Sequence, residues 1–112
     1  MSVFYEQVYE TVMQIPYGSV VCYGDIAKWL NHPRGAQVVG WAMSALRGNN
    51  RPEYENIPWH RVVKADGSIA DGGAAEMRRS LLEDEGIEFL IDGRIDMERY
   101  RWVAPPGVDR RY

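Results

Sequence analysis

Phe4, Val8 and Val12 recur every fourth position, with Tyr5, Tyr9 and Ile15 beside them. That spacing predicts an amphipathic helix of about three turns that packs a core. Ser2 is placed to cap it and Pro16-Tyr17-Gly18 to end it. Val20-Val21 reads as a short extended piece. Ile26 and Leu30 are again four apart, so residues 23–30 predict a short helix, followed by a turn at Asn31-His32-Pro33. Pro33 suits the first position of a next helix. That helix is expected over residues 34–46, with Val39, Met43 and Leu46 on one face. Two helices joined by a tight turn make a helix-turn-helix candidate. On another face Ala36 and Gly40 are small and four apart. Small residues there allow close helix packing, or make a helix slim enough for the narrow minor groove of DNA. The pattern leaves both open.

Residues 47–56 are polar and read as a loop. Residues 57–63 form a short apolar run interrupted by an aromatic, an imidazole and a guanidinium, with Pro58 stiffening its start. Turn signals flank it: Asn49-Asn50-Arg51-Pro52 before and Ala65-Asp66-Gly67-Ser68 after. From pattern alone this is a buried β-type run with a core tryptophan, Trp59, and with Val62 and Val63 in the core. Residues 69–73 are flexible by composition. Residues 74–85 predict a helix with Met77, Leu81 and Leu82 facing inward and Gly86 as its stop. Residues 87–89 and 95–97 flank Asp92-Gly93, a hairpin signal that would form a wing beside the helix pair. The Pro- and charge-rich residues 104–112 read as a frayed tail, leaving residues 1–103 as the domain.

A chain of 112 residues with 46% apolar content supports one modest core. No apolar run approaches a membrane span, and the N-terminal stretch carries neither a basic region nor a signal-peptide core. A cytoplasmic, nucleoid-associated or nuclear protein is expected. The single Cys22 forms no internal disulfide, and one Cys with two His leaves no zinc-ligand spacing, so no metal or cofactor is expected. The net charge of −3 argues against nucleic acid, but its distribution argues the other way. Between Lys28 and Lys64, the bases Lys28, Arg34, Arg47, Arg51, Arg61 and Lys64 stand against only Glu53 and Glu55, a local +4 in a chain of −3. A basic middle focuses an anionic ligand, although chance clustering on a solvated face gives the same count.

Pro58-Trp59-His60-Arg61-Val62-Val63 resembles the active-site motif of the O6-alkylguanine-DNA alkyltransferases, which read Pro-Cys-His-Arg-Val. The resemblance runs from about Phe4 to Trp102. Trp at the position of the acceptor Cys marks the alkyltransferase-like subgroup. The fold implied is α+β, with a winged helix-turn-helix like the C-terminal, DNA-binding half of the alkyltransferases. The function implied is non-enzymatic damage recognition. The protein would bind O6-alkylguanine in double-stranded DNA through the minor groove, flip the base into a pocket, and flag it for nucleotide excision repair proteins. It is expected to act as a monomer.

Site residues follow from the same resemblance. Tyr23 matches a tyrosine that crowds the 3′ phosphate and rotates the target outward; a tyrosine anchoring the helix start would look the same. Ala36, Val38 and Gly40 fall where the family helix touches the groove. Gln37 stands where the family usually has an intercalating arginine, and Arg34, three residues earlier, is a candidate substitute cation. Trp59 would line the lesion pocket with a π face and no nucleophile. His60 and Glu85 match the pair that activates the acceptor thiol. Without that thiol they become structural hydrogen-bonders, and Arg61 a brace. A relative of this subgroup has a basic residue near the position of Gly72, whereas Asp71-Gly72-Gly73 offers none.

Two rival readings have other consequences. The first is an enzyme that transfers the alkyl group to Cys22, favoured by the tendency of a helix N-terminus to lower a thiol pKa. The second is a transcription regulator that inserts its helix-turn-helix into the major groove. Such regulators usually bind as dimers, and no dimerisation stripe is visible.

Overall fold

The buried face of the first helix decides where the next two pack. In the computed structural model, which describes residues 3–32, 34–47, 52–69 and 74–103, helix α1 spans Val3–Val12. Val8, Tyr9 and Val12 are buried, and Phe4 and Tyr5 pack partly against the same core. The Tyr9 hydroxyl donates to the Ala42 carbonyl at 2.7 Å and so ties α1 to a helix far along the chain. A short strand β1 (Val21–Cys22) leads directly into α2 (Tyr23–Trp29), and α3 follows over Ala36–Arg47. Ile26 and Ala27 of α2 meet Val39, Ala42, Met43 and Leu46 of α3 in one apolar cluster with the α1 face.

The turn between α2 and α3 is longer than the sequence suggests. Asn31 takes a left-handed φ of 62°. The His32 amide donates to Ala27 O at 2.8 Å, and the Gly35 amide to His32 O at 2.7 Å. A Cβ on Gly35 would lie 2.8 Å from the His32 Cβ and 2.9 Å from its carbonyl oxygen, so only glycine closes this turn. These bonds hold the chain off the helical path until Ala36. The expected start at residue 34 is therefore two residues early, and Arg34 sits in the turn rather than on a helix face. The capping Ser2 and the helix-starting Pro33 lie outside the described residues.

Strand β2 is Val62–Val63 and pairs parallel with β1, Val21 opposite Val62 and Cys22 opposite Val63. Parallel strands need a long crossover, which α2 and α3 supply. This sheet separates two cores. Val21 and Val62 belong to the α1–α3 cluster, while Val20 and Val63 belong to a second one with Leu82, Ile87 and Ile95. Alternation of side chains along a strand puts neighbouring valines on opposite faces. The extended piece expected at residues 20 and 21 is thus displaced by one. Val20 bridges instead to Arg101, its amide donating to Tyr100 O at 3.0 Å and its carbonyl accepting from Trp102 N at 2.8 Å. The β-type reading of residues 57–63 also holds only at its end. Trp59–Arg61 is a turn of 3-10 helix, closed by Arg61 N donating to Pro58 O at 3.0 Å.

Helix α4 spans Ala75–Asp84 and stops at Gly86. Its inward face differs from expectation. Leu82 is buried, but Met77 is 61% exposed and Arg78 is buried in its place. Arg78 and Leu82 are four apart and define the inward stripe, and Met77 falls beside it. The wing is likewise smaller than a hairpin. Phe89 and Ile95 form a single antiparallel bridge, closed by Leu90 N donating to Arg94 O at 2.8 Å. The Ile95 amide turns away to Gly67 O at 2.9 Å. A Cβ on Gly67 would come within 2.2 Å of the Ile95 carbonyl oxygen, so glycine permits this junction. Pairing then ends, because Asp96 accepts from Glu98 N and starts a short helix α5, Met97–Tyr100, which the sequence reading lacked. The α+β class with a helix-turn-helix and a reduced wing stands. The tail at residues 104–112 and the rim at Asp71-Gly72-Gly73 lie outside the described residues.

Candidate nucleic-acid interface

Helix α3 presents a narrow outer face. Ala36 and Gln37 are exposed, Val38 and Gly40 are half-buried, and Trp41 is 55% exposed. Ala36 and Gly40 share one line along the helix, Gln37 and Trp41 the adjacent one. A Cβ on Gly40 would meet nothing within 4 Å. Close packing inside the protein therefore does not account for glycine at this position. Trp41 was missed in the sequence. Its spacing of four from Gln37 was the available signal.

Tyr23 opens α2 and is half-buried against the first core. The start of this helix is held from behind. Asp25, buried in the first turn, accepts from the Cys22 amide at 3.2 Å and from the Arg101 guanidinium. Burial pushes the Asp25 carboxyl up, but the hydrogen bonds from Arg101 and the Cys22 amide outweigh it and hold it below its ordinary value. The thiol of Cys22 goes the other way. It is buried, and burial together with the Asp25 charge raises its pKa despite the backbone hydrogen bond and Arg101. The helix N-terminus does not activate this thiol, because burial, joined by the Asp25 charge, outweighs the backbone hydrogen bond.

The turn Trp59–Arg61 sends its side chains two ways. His60 and Arg61 converge on Glu85 at the end of α4. His60 Nε2 lies 2.6 Å from Glu85 Oε2, and Arg61 Nε lies 3.0 Å from both carboxylate oxygens. The Gly18 amide donates to Oε1 at 2.8 Å, and a second Arg61 nitrogen donates to Ile15 O at 2.8 Å. Arg61 also lies 5.5 Å from the Tyr17 ring centroid. Burial acts to raise the Glu85 pKa, but Arg61, Gly18 N–H and His60 together bring it below its ordinary value. The carboxylate is a charged knot tying the central turn, the end of α4 and the loop after α1.

Trp59 points the other way and is half-buried beside a cavity of about 310 Å³, lined by Leu46, Tyr54, Glu55, Trp59, Ala74 and Met77. Met77, expected in the core, is one of its walls. Behind Trp59 the Arg78 guanidinium stands 5.2 Å from the indole centroid. A larger cavity of about 530 Å³ lies between α1 and residues 53–57. None of the candidate residues lines it. The structure thus gathers Trp59, His60, Arg61 and Glu85 around one turn and sets Ala36, Gln37, Val38 and Gly40 along one helix. It leaves Arg34 in the preceding turn.

Comparison with known proteins bears directly on this arrangement. Residues 3–87 match the 6-O-methylguanine DNA methyltransferase DNA-binding domain. The DNA base-flipping protein of Escherichia coli K12 is 40% identical over 100 residues, covering 88% of this chain and 74% of its own length. Alkyltransferase-like protein 1 of Schizosaccharomyces pombe is 39% identical over 109 residues, covering 91% and 96%. A crystal structure of S. pombe Atl1 in complex with damaged DNA containing O6-carboxymethylguanine superposes with a TM-score of 0.76 at 35% identity, covering 91% of this chain and 96% of that one. Mycobacterium tuberculosis OGT in complex with DNA gives 0.65 at 32% identity, covering 76% of this chain and 50% of that one.

Proposed function

The chain belongs to the family defined by the 6-O-methylguanine DNA methyltransferase DNA-binding domain, and from that premise we propose that it is a non-enzymatic sensor of O6-alkylguanine in duplex DNA. The observation that carries this reading is Trp59 beside its cavity, in the motif position where the repair enzymes hold their acceptor cysteine. Alkyl transfer needs a thiolate to attack the carbon on O6. An indole offers a π face and an N–H donor but no such nucleophile. The single cysteine, Cys22, is buried with its thiolate disfavoured. The relatives named for base flipping, and the S. pombe protein solved with a damaged base, support the same reading.

On this reading each step has a candidate residue. The outer face of α3, slim at Ala36 and Gly40, enters the minor groove. Tyr23 bears on the phosphate beside the target. Flipping costs a few kcal/mol, offset when the base stacks on Trp59, a contact worth about 1–3 kcal/mol. Gln37 enters the vacated stack, and Arg34 supplies a cation from the turn before the helix. His60, Arg61 and Glu85 hold the turn that carries Trp59. The capped, distorted site is then handed to nucleotide excision repair proteins.

The test follows one labelled methyl group. Protein mixed with duplex carrying labelled O6-methylguanine should bind it more tightly than the undamaged twin, and all label should stay on the DNA. Label recovered on the protein would overturn the non-enzymatic reading and promote Cys22. Equal affinity for the two duplexes would promote the transcription regulator.

A further inference from the structure

Arg78 is only 5% exposed, yet its Nε–H has no hydrogen-bond partner among the described residues. A guanidinium stays protonated in a protein, and buried charge is costly unless paired. No carboxylate among the described residues pairs with it. Glu85, two helical turns further along, is already taken by His60, Arg61 and the Gly18 amide. Arg78 lies against the Trp59 indole at 5.2 Å from the centroid, one helical turn beyond Ala74, which lines the cavity. The cavity's one carboxylate wall among the described residues is Glu55, which is exposed and therefore screened by solvent. The charge that the cavity senses through its floor is positive.

We propose that Arg78 is a specificity-determining residue, which makes the Trp59 pocket accept guanines with neutral or anionic O6 substituents and reject cationic ones. The proposal rests on the sensor reading and adds the class of lesion. Arg78 does not touch the base. It acts through Trp59, whose indole it holds in place by cation–π contact, and through a field that little water screens. A like charge brought into the cavity meets that field at an effective dielectric far below that of water, a penalty of roughly tenfold or more in affinity. An anionic substituent gains from the same field.

The experiment compares substituents of similar size and different charge at one position. The full chain is titrated with duplexes carrying O6-carboxymethylguanine, O6-propylguanine, O6-(2-aminoethyl)guanine or guanine. Wild-type protein should bind the propyl lesion more tightly than guanine, the anionic carboxymethyl lesion at least as tightly as propyl, and the cationic aminoethyl lesion about tenfold more weakly than propyl. The carboxymethyl-to-aminoethyl ratio should persist between about 50 and 200 mM salt while every affinity falls, because the sensed charge is buried and the phosphate contacts are not. Arg78→Met should collapse that ratio to within about threefold, and Arg78→Lys should restore it in part. Equal wild-type affinity for the three O6 lesions, each tighter than guanine, would overturn this inference and leave the sensor reading standing. An unchanged ratio in a folded Arg78→Met protein would overturn it too. No preference for any O6 lesion over guanine would remove the sensor reading itself. The wild-type ranking decides the matter even if the Arg78→Met chain fails to fold.

Discussion

Arg61 and Glu85 grip each other through three nitrogen–oxygen contacts, Nε at 3.0 Å to both carboxylate oxygens and a terminal nitrogen at 2.8 Å to one. Glu85 is only 5% exposed at its side chain, so removing its charge leaves Arg61 and His60 without their shared acceptor. Glu85→Gln should destabilise the fold by about 3 kcal/mol, read from urea unfolding at neutral pH. The pH dependence has a definite sign. The folded Glu85 pKa lies below its ordinary value of 4.5, and that of Asp25 below 3.8. Their contribution is therefore complete above those ordinary values and is lost as pH falls through the lower folded ones. Wild-type stability should drop steeply below about pH 4.5, and Glu85→Gln should flatten that drop. An acid limb of the same slope in both proteins would contradict the assignment.

Gly40 gives a prediction that separates fold from function. A methyl added there meets no atom within 4 Å of the protein. Gly40→Ala should stabilise the isolated protein by roughly 0.5–1 kcal/mol through helix propensity. The same methyl should weaken duplex binding, because it thickens the helix face that enters the groove. A more stable variant with undiminished DNA affinity would place the groove-facing surface elsewhere.

Gln37 lies exposed on α3, and Arg34 precedes the helix in the tight turn. Gln37→Arg should tighten binding to damaged and undamaged duplex alike, since a cation is added without any lesion contact. Arg34→Ala should cost more affinity than Arg47→Ala if Arg34 supplies the missing cation at the vacated stack. Equal losses at the two arginines, with no gain from Gln37→Arg, would remove both residues from the intercalating role.

Trp59 should carry discrimination rather than affinity. Trp59→Ala should lose about 1–3 kcal/mol of the preference for O6-methylguanine, the value of one stacked base, while binding to undamaged duplex stays near wild type. Trp59→Cys places a thiol beside His60, but in a space shaped for an indole, and only slight transfer of the methyl is expected. Full lesion preference in Trp59→Ala, measured by paired titrations, would place the pocket elsewhere.

What the sequence determined by itself is local. The i, i+4 apolar spacing of Phe4, Val8 and Val12 suffices for α1, because a helix shows its buried stripe in one dimension. The stretch from Trp59 to Arg61 was legible as a constellation because its members adjoin. Spacing also brought Ala36, Gln37 and Gly40 onto one helix. The tertiary structure decided the rest, because the remaining partners are distant in the chain. Glu85 reaches His60 across 25 residues, and Arg61 reaches Ile15 across 46. The parallel pairing of Val21 with Val62 depends on a crossover that no strand pattern announces. On α4 the apolar residues are too few for their period to orient the helix, so the sequence points Met77 inward and carries no signal for Arg78. Packing against Trp59 and the second core reversed that assignment. The wing stayed short for a similar reason. Ile95 gave its amide to Gly67, and Asp96 capped a helix before a second strand could form.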